Sequence, residues 1–200
     1  MPRALLVFAF CAALLIARVR ADTALLSNDE QDVMEAAVRE SKNVLSGPKR
    51  ILSAVPAHGE EKAKYEEFAR RLREDAKAQS PQLAEAVDDF ISKDADGSEF
   101  IFPRRLPKRL VVLTAAEERD ITSAGKIDIH WALLQKFGTP ALIQISRPGF
   151  DQKRTTAIIY VSESSGPMSG AGSFEVLTKV RGKWKIDKNQ LIGPMWLATL

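Results

Sequence analysis

The chain reads as an α+β protein, with N-terminal helices packed on a C-terminal antiparallel β-meander of about four to five strands. Three observations predict this. Apolar residues recur at helical spacing through the first half. In the second half they gather in short runs with period-two alternation. Those runs are separated by Pro-Gly, Gly-rich, Arg-Gly and Gly-Pro punctuation, the mark of hairpin connections. Helices first and strands later is the α+β order.

Each element has its own warrant. "LLSNDEQDVMEAAVRESKN" opens with Ser27 and places Glu30 three residues on, a capping box that starts a helix. Val33, Ala37 and Val38 are its apolar stripe, and Gly47-Pro48 ends it. "RILSAVPAH" is a short run of strand character stopped by Pro56. In "EEKAKYEEFARRLREDAKAQ" the residues Tyr65, Phe68, Ala69, Leu72 and Ala76 share one face of an amphipathic helix. Ser80-Pro81 caps and begins a further helix that buries Leu83, Val87, Phe90 and Ile91. "KDADGSEF" then reads as a loop. "RLVVLT" is a strand, and Thr114 with Glu117 caps a brief helix. "IDIHWALLQKFG" is another helix, ended by Gly138. Five runs follow, "ALIQISR", "TTAIIYVS", "SFEVLTKV", "KWKIDK" and "PMWLAT". Ile158 and Tyr160 face one side of the sheet, Ile159 and Val161 the other.

Residues 1–21 stand apart from this domain. "MPRALLVFAFCAALLIARVRADT" has a basic start at Arg3, an apolar run from Ala4 to Ala17, and Val19-Arg20-Ala21 at its end. That is the layout of a secretory signal, and the run is short for a membrane span. Arg18 and Arg20 close before the cut leave a retained anchor as the alternative. The expected location is therefore periplasmic or extracellular, with no membrane span after cleavage. Residues 22–108 form the helical layer and 109–200 a helix plus the sheet, together one domain.

Loss of the signal changes the charge balance. The whole chain has 29 basic and 26 acidic residues, and Arg3, Arg18 and Arg20 leave with the signal. The remainder carries 26 of each, so its basic precursor pI is no nucleic-acid footprint. Cys11, the sole cysteine, leaves too, so the mature chain has no disulfide and no thiolate chemistry. Residues 22–100 hold 18 acidic and 11 basic groups, and residues 101–200 hold 8 and 15. Two halves of opposite sign attract across an interface, or the second half presents a surface to anions. Arg104, Arg105, Lys108 and Arg109 are the densest basic cluster, without the interleaved aromatic residues of a single-strand platform.

The motifs exclude most chemistry. Two histidines, His58 and His130, share no ligand spacing. "DADGS" at 94–98 begins like a calcium loop, but Glu99 stands where glycine is needed and Arg105 where glutamate is. No metal or cofactor is expected. "GPMSG" sets Ser169 at the wrong spacing for a nucleophile elbow, with a strand where a helix should follow. His130 packs beside Trp131 or points to water. The Gly-rich stretch "YVSESSGPMSGAGSFEVL" has no lysine for a phosphate loop. It reads as a long hairpin connection with positive φ values, with a small anion-binding nest as the alternative. Glu60, Glu61, Glu66, Glu67, Asp88 and Asp89 read as solvated. Trp131, Trp184, Trp196, Phe137, Phe150 and Phe174 read as core or as the walls of a cleft.

Several of these residues recur together. Trp131 and Phe137 are followed by the turn Ser146-Arg147-x-Gly149-Phe150 and by a strand ending Tyr160-Val161. Gly166, Gly170 and Gly172, the hairpin Gly182-Lys183-Trp184, and a last Trp196 complete the succession. From about Leu110 onward, and in "AVDDFISKD" upstream, the chain resembles a family of uncharacterised exported bacterial proteins. The resemblance implies a secreted α+β domain whose Gly-rich loop is a shared structural element, and it implies no activity. Relatives carrying two cysteines near the positions of Ser165 and Ser169 would pin that loop with a disulfide or use a thiol pair, and this chain does neither.

The function expected is a non-catalytic binding or interaction module, engaging a protein or a small anionic ligand of the cell envelope. The alternative is a hydrolase or transferase acting on an anionic envelope substrate. The candidate ligand-binding residues are Arg147, Ser169, Gly170 and Gly172.

Overall fold

A computed structural model describes residues 26–40, 50–54, 62–96, 100, 102, 110–123, 128–166 and 169–198. The signal at 1–21, the Gly47-Pro48 and Pro56 stops, His58 and the Arg104–Arg109 cluster lie outside them. Five helices and seven strands are described: α1 Asn28–Glu40, β1 Arg50–Ala54, α2 Lys62–Gln79, α3 Pro81–Asp96, β2 Leu110–Val112, α4 Ala115–Ser123, α5 Ile129–Phe137, β3 Leu142–Ile145, β4 Gly149–Phe150, β5 Thr156–Gly166, β6 Ser169–Val180 and β7 Lys183–Ala198.

The fold is α+β, but its single sheet is mixed. The strand order is β2-β1-β3-β5-β6-β7, with β4 pairing β5 beyond the end of β3. β1 runs parallel to both β2 and β3, and only β3 to β7 form the expected antiparallel part. The cause is the connections. α2 and α3 carry the chain from β1 to β2, and α4 and α5 carry it from β2 to β3; helical crossovers of that length join parallel strands. The last two expected strands are one long strand, β7, with irregular register between Gly172 and Phe174 and between Glu175 and Leu177. Pro194 stands within β7, which lies at the end of the described strand order, where a missing N–H is tolerated.

Helix ends follow the capping chemistry in the sequence. Ser27 and Glu30 exchange hydrogen bonds at the start of α1. Ser80 Oγ accepts the Leu83 N–H at the start of α3, and Thr114 and Glu117 exchange bonds at the start of α4. Asp128 caps α5, and Gly138 ends it at φ 75°. Each such cap stabilises its helix by about 1 kcal/mol. α3 runs on through Asp96, past the loop start expected at Lys93, and Asp94 is buried.

The sheet has an apolar core on each face. α1 lays Val33, Met34, Ala37 and Val38 over Ile143, Ile145, Ala157, Ile159, Val161, Leu177 and Trp184. On the other face α2 and α3 cover Ile158, Phe174, Val176 and Ile192, with Tyr160 half-buried beside them. The alternation of Ile158 and Tyr160 against Ile159 and Val161 is therefore as the sequence predicts. A third, smaller cluster joins Leu113, Ile121, Leu133 and Leu142 under α4 and α5. Trp131, expected in the core or in the wall of a cleft, is 55% exposed on α5.

Candidate functional site

Side-chain hydrogen bonds and ion pairs from several elements converge on the segment 146–156. Ser146 closes β3 by pairing with Tyr160 twice: its N–H donates to the Tyr160 carbonyl, and its hydroxyl accepts the Tyr160 N–H. Residues 146–148 then leave the ladder before β4 rejoins it at Gly149. This break in the strand line lets groups from the two faces of the sheet meet.

Glu30 is the group that uses the break. Its Oε2 accepts the Ser27 N–H at 2.7 Å, and its Oε1 accepts Arg147 Nε–H at 2.7 Å. Lys93 Nζ, from α3 on the opposite face, lies 3.5 Å from the same Oε1. Lys93 also donates to Asp89 Oδ2 and to the Pro148 carbonyl, and it sits over the Phe150 ring. Burial alone would raise the Glu30 carboxyl. The Arg147 hydrogen bond, the two bonds with Ser27 and the Lys93 charge outweigh it and hold the group below its ordinary range.

A second acid extends the cluster along α1. Asp29 Oδ1 accepts Lys179 Nζ at 2.6 Å and faces the Trp184 Nε1–H at 3.4 Å, while Arg154 lies 3.6 Å from Oδ2. The Lys179 hydrogen bond lowers this carboxyl against the cost of burial, helped by Trp184 and the Lys179 and Arg154 charges. Trp184 meets Phe150 edge-on, and Arg154, like Lys93, lies over the Phe150 ring. The buried Asp151 ties the following turn, with Oδ1 accepting the Thr155 and Thr156 N–H groups and Oδ2 accepting the Thr155 hydroxyl. Asp89, expected to be solvated, accepts the Phe150 N–H at 2.8 Å as well as Lys93.

The acidic first half and the basic second half therefore meet through named pairs: Glu30 with Arg147, Asp29 with Lys179 and Arg154. The cluster is adhesive in character. Its acids and bases are spent on one another, between elements far apart in sequence.

A different polar feature crosses the sheet on the face that carries α2 to α5. Ser53, Gln144, Ser162 and Gly172 stand side by side on β1, β3, β5 and β6. Ser53 and Ser162 are buried, Ser53 donates to Glu118 Oε2, and Ser162 donates to Gln144 Oε1 at 3.4 Å. This row runs between the apolar cluster under α2 and α3 and the one under α4 and α5. Ser164 and Gly170 form the next row, and beyond them the exposed Ser165 and Ser169 hydroxyls lie 3.2 Å apart.

The expected site residues fall in two places. Ser169, Gly170 and Gly172 pair with Gly166, Ser164 and Ser162 of β5, six, four and two residues from Tyr160, to which Ser146, the neighbour of Arg147, is bonded. The span from Tyr160 is thus about 20 Å for Ser169 and about 7 Å for Gly172. The Gly-rich stretch is itself strand, apart from Pro167 and Met168, which lie outside the described residues. Gly170 and Gly172 pair with Ser164 and Ser162 on one side and with Ala198 and Trp196 on the other. Their backbone groups are thus committed to the ladder, which removes the nest, and positive-φ glycines among the described residues are only Gly138 and Gly182. His130 is buried, its Nδ1 2.9 Å from the Pro140 carbonyl, and so braces the α5–β3 connection.

Glu30, Lys93, Asp89 and Asp29 are the residues that sequence reasoning missed. Glu30 did carry a signal, since it precedes Val33, Met34 and Ala37 on the apolar stripe of α1. Among the described residues no group of three or more potential metal ligands converges, and no helix is long and apolar enough to cross a membrane. No family model, curated protein or solved structure matches the chain.

Proposed function

We propose that the protein is an exported binding module that holds a small polar or anionic ligand, or a partner protein of the cell envelope, at the Ser169–Gly172 end of its polar row, with no catalytic machinery of its own. The observation that supports this reading is the row Ser53, Gln144, Ser162, Gly172, a band of hydroxyl and amide groups between two apolar clusters. A few polar groups set in apolar walls is the usual make-up of a ligand site. The two glycines place no side chain above the strand there.

The alternative, a hydrolase or transferase using Arg147 on an anionic substrate, is the weaker reading. Arg147 already serves the buried Glu30. The deciding experiment is a thermal-shift screen of the protein with anions, nucleotides and envelope sugars, repeated on Gly170→Val. The module predicts a concentration-dependent rise in Tm that Gly170→Val abolishes. A turnover that survives Gly170→Val and is lost in Arg147→Lys would replace it with the enzyme.

A further inference from the structure

One end of the sheet is built from two turns with the same unusual feature. In the β6–β7 hairpin the turn residues Arg181 and Gly182 have φ 50° and 77°, and in the β4–β5 turn Arg154 has φ 54°. Two-residue hairpin loops with both φ positive favour asparagine or aspartate followed by glycine. An arginine in the left-handed region is strained by its Cβ. The two turns are neighbours, because Lys179 N–H donates to the Thr155 carbonyl and Thr156 pairs with Thr178.

Arg154 has an internal use, against Phe150, Ser27 and Asp29. Arg181 is exposed and has no carboxylate partner among the described residues. The same holds for Lys153, Lys183 and Lys185. Register places Val180 opposite Lys183 and Thr178 opposite Lys185, so these four side chains share the side of the hairpin away from Trp184. Val180 is 46% exposed among them. Of the nearby acids, Asp29 is paired with Lys179 and the buried Asp151 is tied into its own turn, whereas Glu85, which accepts the Gln152 N–H, keeps its charge next to Lys153. Asp187 at the far end of this stem accepts from Asn189 and Gln190.

We infer that this end is a docking surface for an anionic lipid bilayer, with Lys153, Arg181, Lys183 and Lys185 reaching the headgroup phosphates and Val180 meeting the acyl boundary. The charges fit a negative surface, and unpaired basic side chains near one each strengthen binding about five-fold. An apolar residue set among cations is the arrangement that interfacial segments present to lipid. The hairpin offers no aromatic stacking platform on that side, which disfavours single-stranded nucleic acid. Strain at Arg181 is what a binding role for that side chain would explain.

The test is co-sedimentation of the full chain with vesicles of phosphatidylglycerol and phosphatidylcholine, and with phosphatidylcholine alone. The variant is Lys153→Gln, Arg181→Asn, Lys183→Gln, Lys185→Gln combined. Arg181→Asn relieves the turn, so the variant melts no lower than the parent. The parent is expected to prefer the anionic vesicles, the preference to fade at high salt, and the variant to lose on the order of 500-fold in affinity for them. Equal binding of parent and variant, or no preference for anionic vesicles, overturns the proposal. Displacement of the parent by polyglutamate at charge-matched concentration also overturns it, since the partner is then any polyanion.

Discussion

Glu30 and Arg147 are 117 residues apart in sequence and 2.7 Å apart in space, and their contact joins the first helix to the break between β3 and β4. The same carboxylate closes the capping box with Ser27 through its other oxygen. One side chain thus starts α1 and fixes where α1 lies on the sheet, with Lys93 approaching from the opposite face. Nothing about either residue alone requires this. The requirement arises from burial: a carboxylate this deep needs a charge partner.

Arg147→Ala is accordingly expected to destabilise the protein by about 2–3 kcal/mol, short of the cost of a fully stranded buried charge because Lys93 remains 3.5 Å from Glu30. Combining Arg147→Met with Glu30→Gln should cost clearly less than the single alanine variant. Glutamine keeps the capping box and carries no charge to strand. Urea unfolding of the two variants measures the difference. Unchanged stability of Arg147→Ala would show that the pair is not a brace and would return Arg147 to the list of ligand-binding residues.

The acid limb of stability follows from the same cluster. Glu30 and Asp29 are both held below their ordinary values of 4.5 and 3.8 in the folded state. The unfolded chain therefore takes up protons first as pH falls. Their contribution is complete above the ordinary carboxylate range and is lost as pH drops through the lower, folded values. Urea midpoints of the parent should fall steeply below about pH 4. In Arg147→Ala that slope should be shallower, because the main hydrogen bond holding Glu30 ionised is gone.

Gly149 is predicted to accept no substitution. A Cβ there would lie 2.3 Å from the Ala86 carbonyl oxygen and from the Phe90 nitrogen, and 2.5 Å from the Phe90 Cα. All three are backbone atoms of α3, which cannot turn aside as a side chain can. Gly149→Ala should cost more than about 3 kcal/mol, or prevent folding, as overpacking against a fixed wall does. Gly166→Ala, with nothing within 4 Å, is the control and should melt within a degree or two of the parent.

What could be read from the sequence was local. The caps at Ser27, Ser80 and Thr114, the buried stripe Leu83, Val87, Phe90 and Ile91, and the two faces of β5 all depend on residues within a few positions of one another. The parallel pairing of β1 with β2 and β3 was not readable. It depends on which strand lies next to which, and a five-residue run such as Arg50–Ala54 carries no mark of its neighbours. The Gly-rich stretch misled for a related reason. Glycine signals a turn when its φ is positive, but Gly170 and Gly172 are extended, set among serines on a central strand. Asp89 misled because its helix position looked polar, while its partner, the Phe150 N–H, came from a strand break that only the folded sheet creates.

A carboxylate on the opposite side of the balance gives the last prediction. Glu175 stands on β6 on the sheet face that carries α1, opposite Ile159 and Leu191. Burial pushes its carboxyl up from 4.5, and the Ser173 hydroxyl only partly offsets this. An acid raised in the folded state costs stability once the unfolded chain can ionise freely. That cost is absent at pH below the ordinary glutamate range, and it grows as pH rises through 4.5 to the folded value. Glu175→Gln keeps the acceptor for Ser173 and removes the charge. It should raise Tm at pH 7 and leave it unchanged near pH 3.5. Thermal melts of parent and variant at the two pH values decide it. A lower Tm for the variant at pH 7 would mean that the Glu175 charge is matched by a cation, and that this face of β6 holds an ion pair of its own.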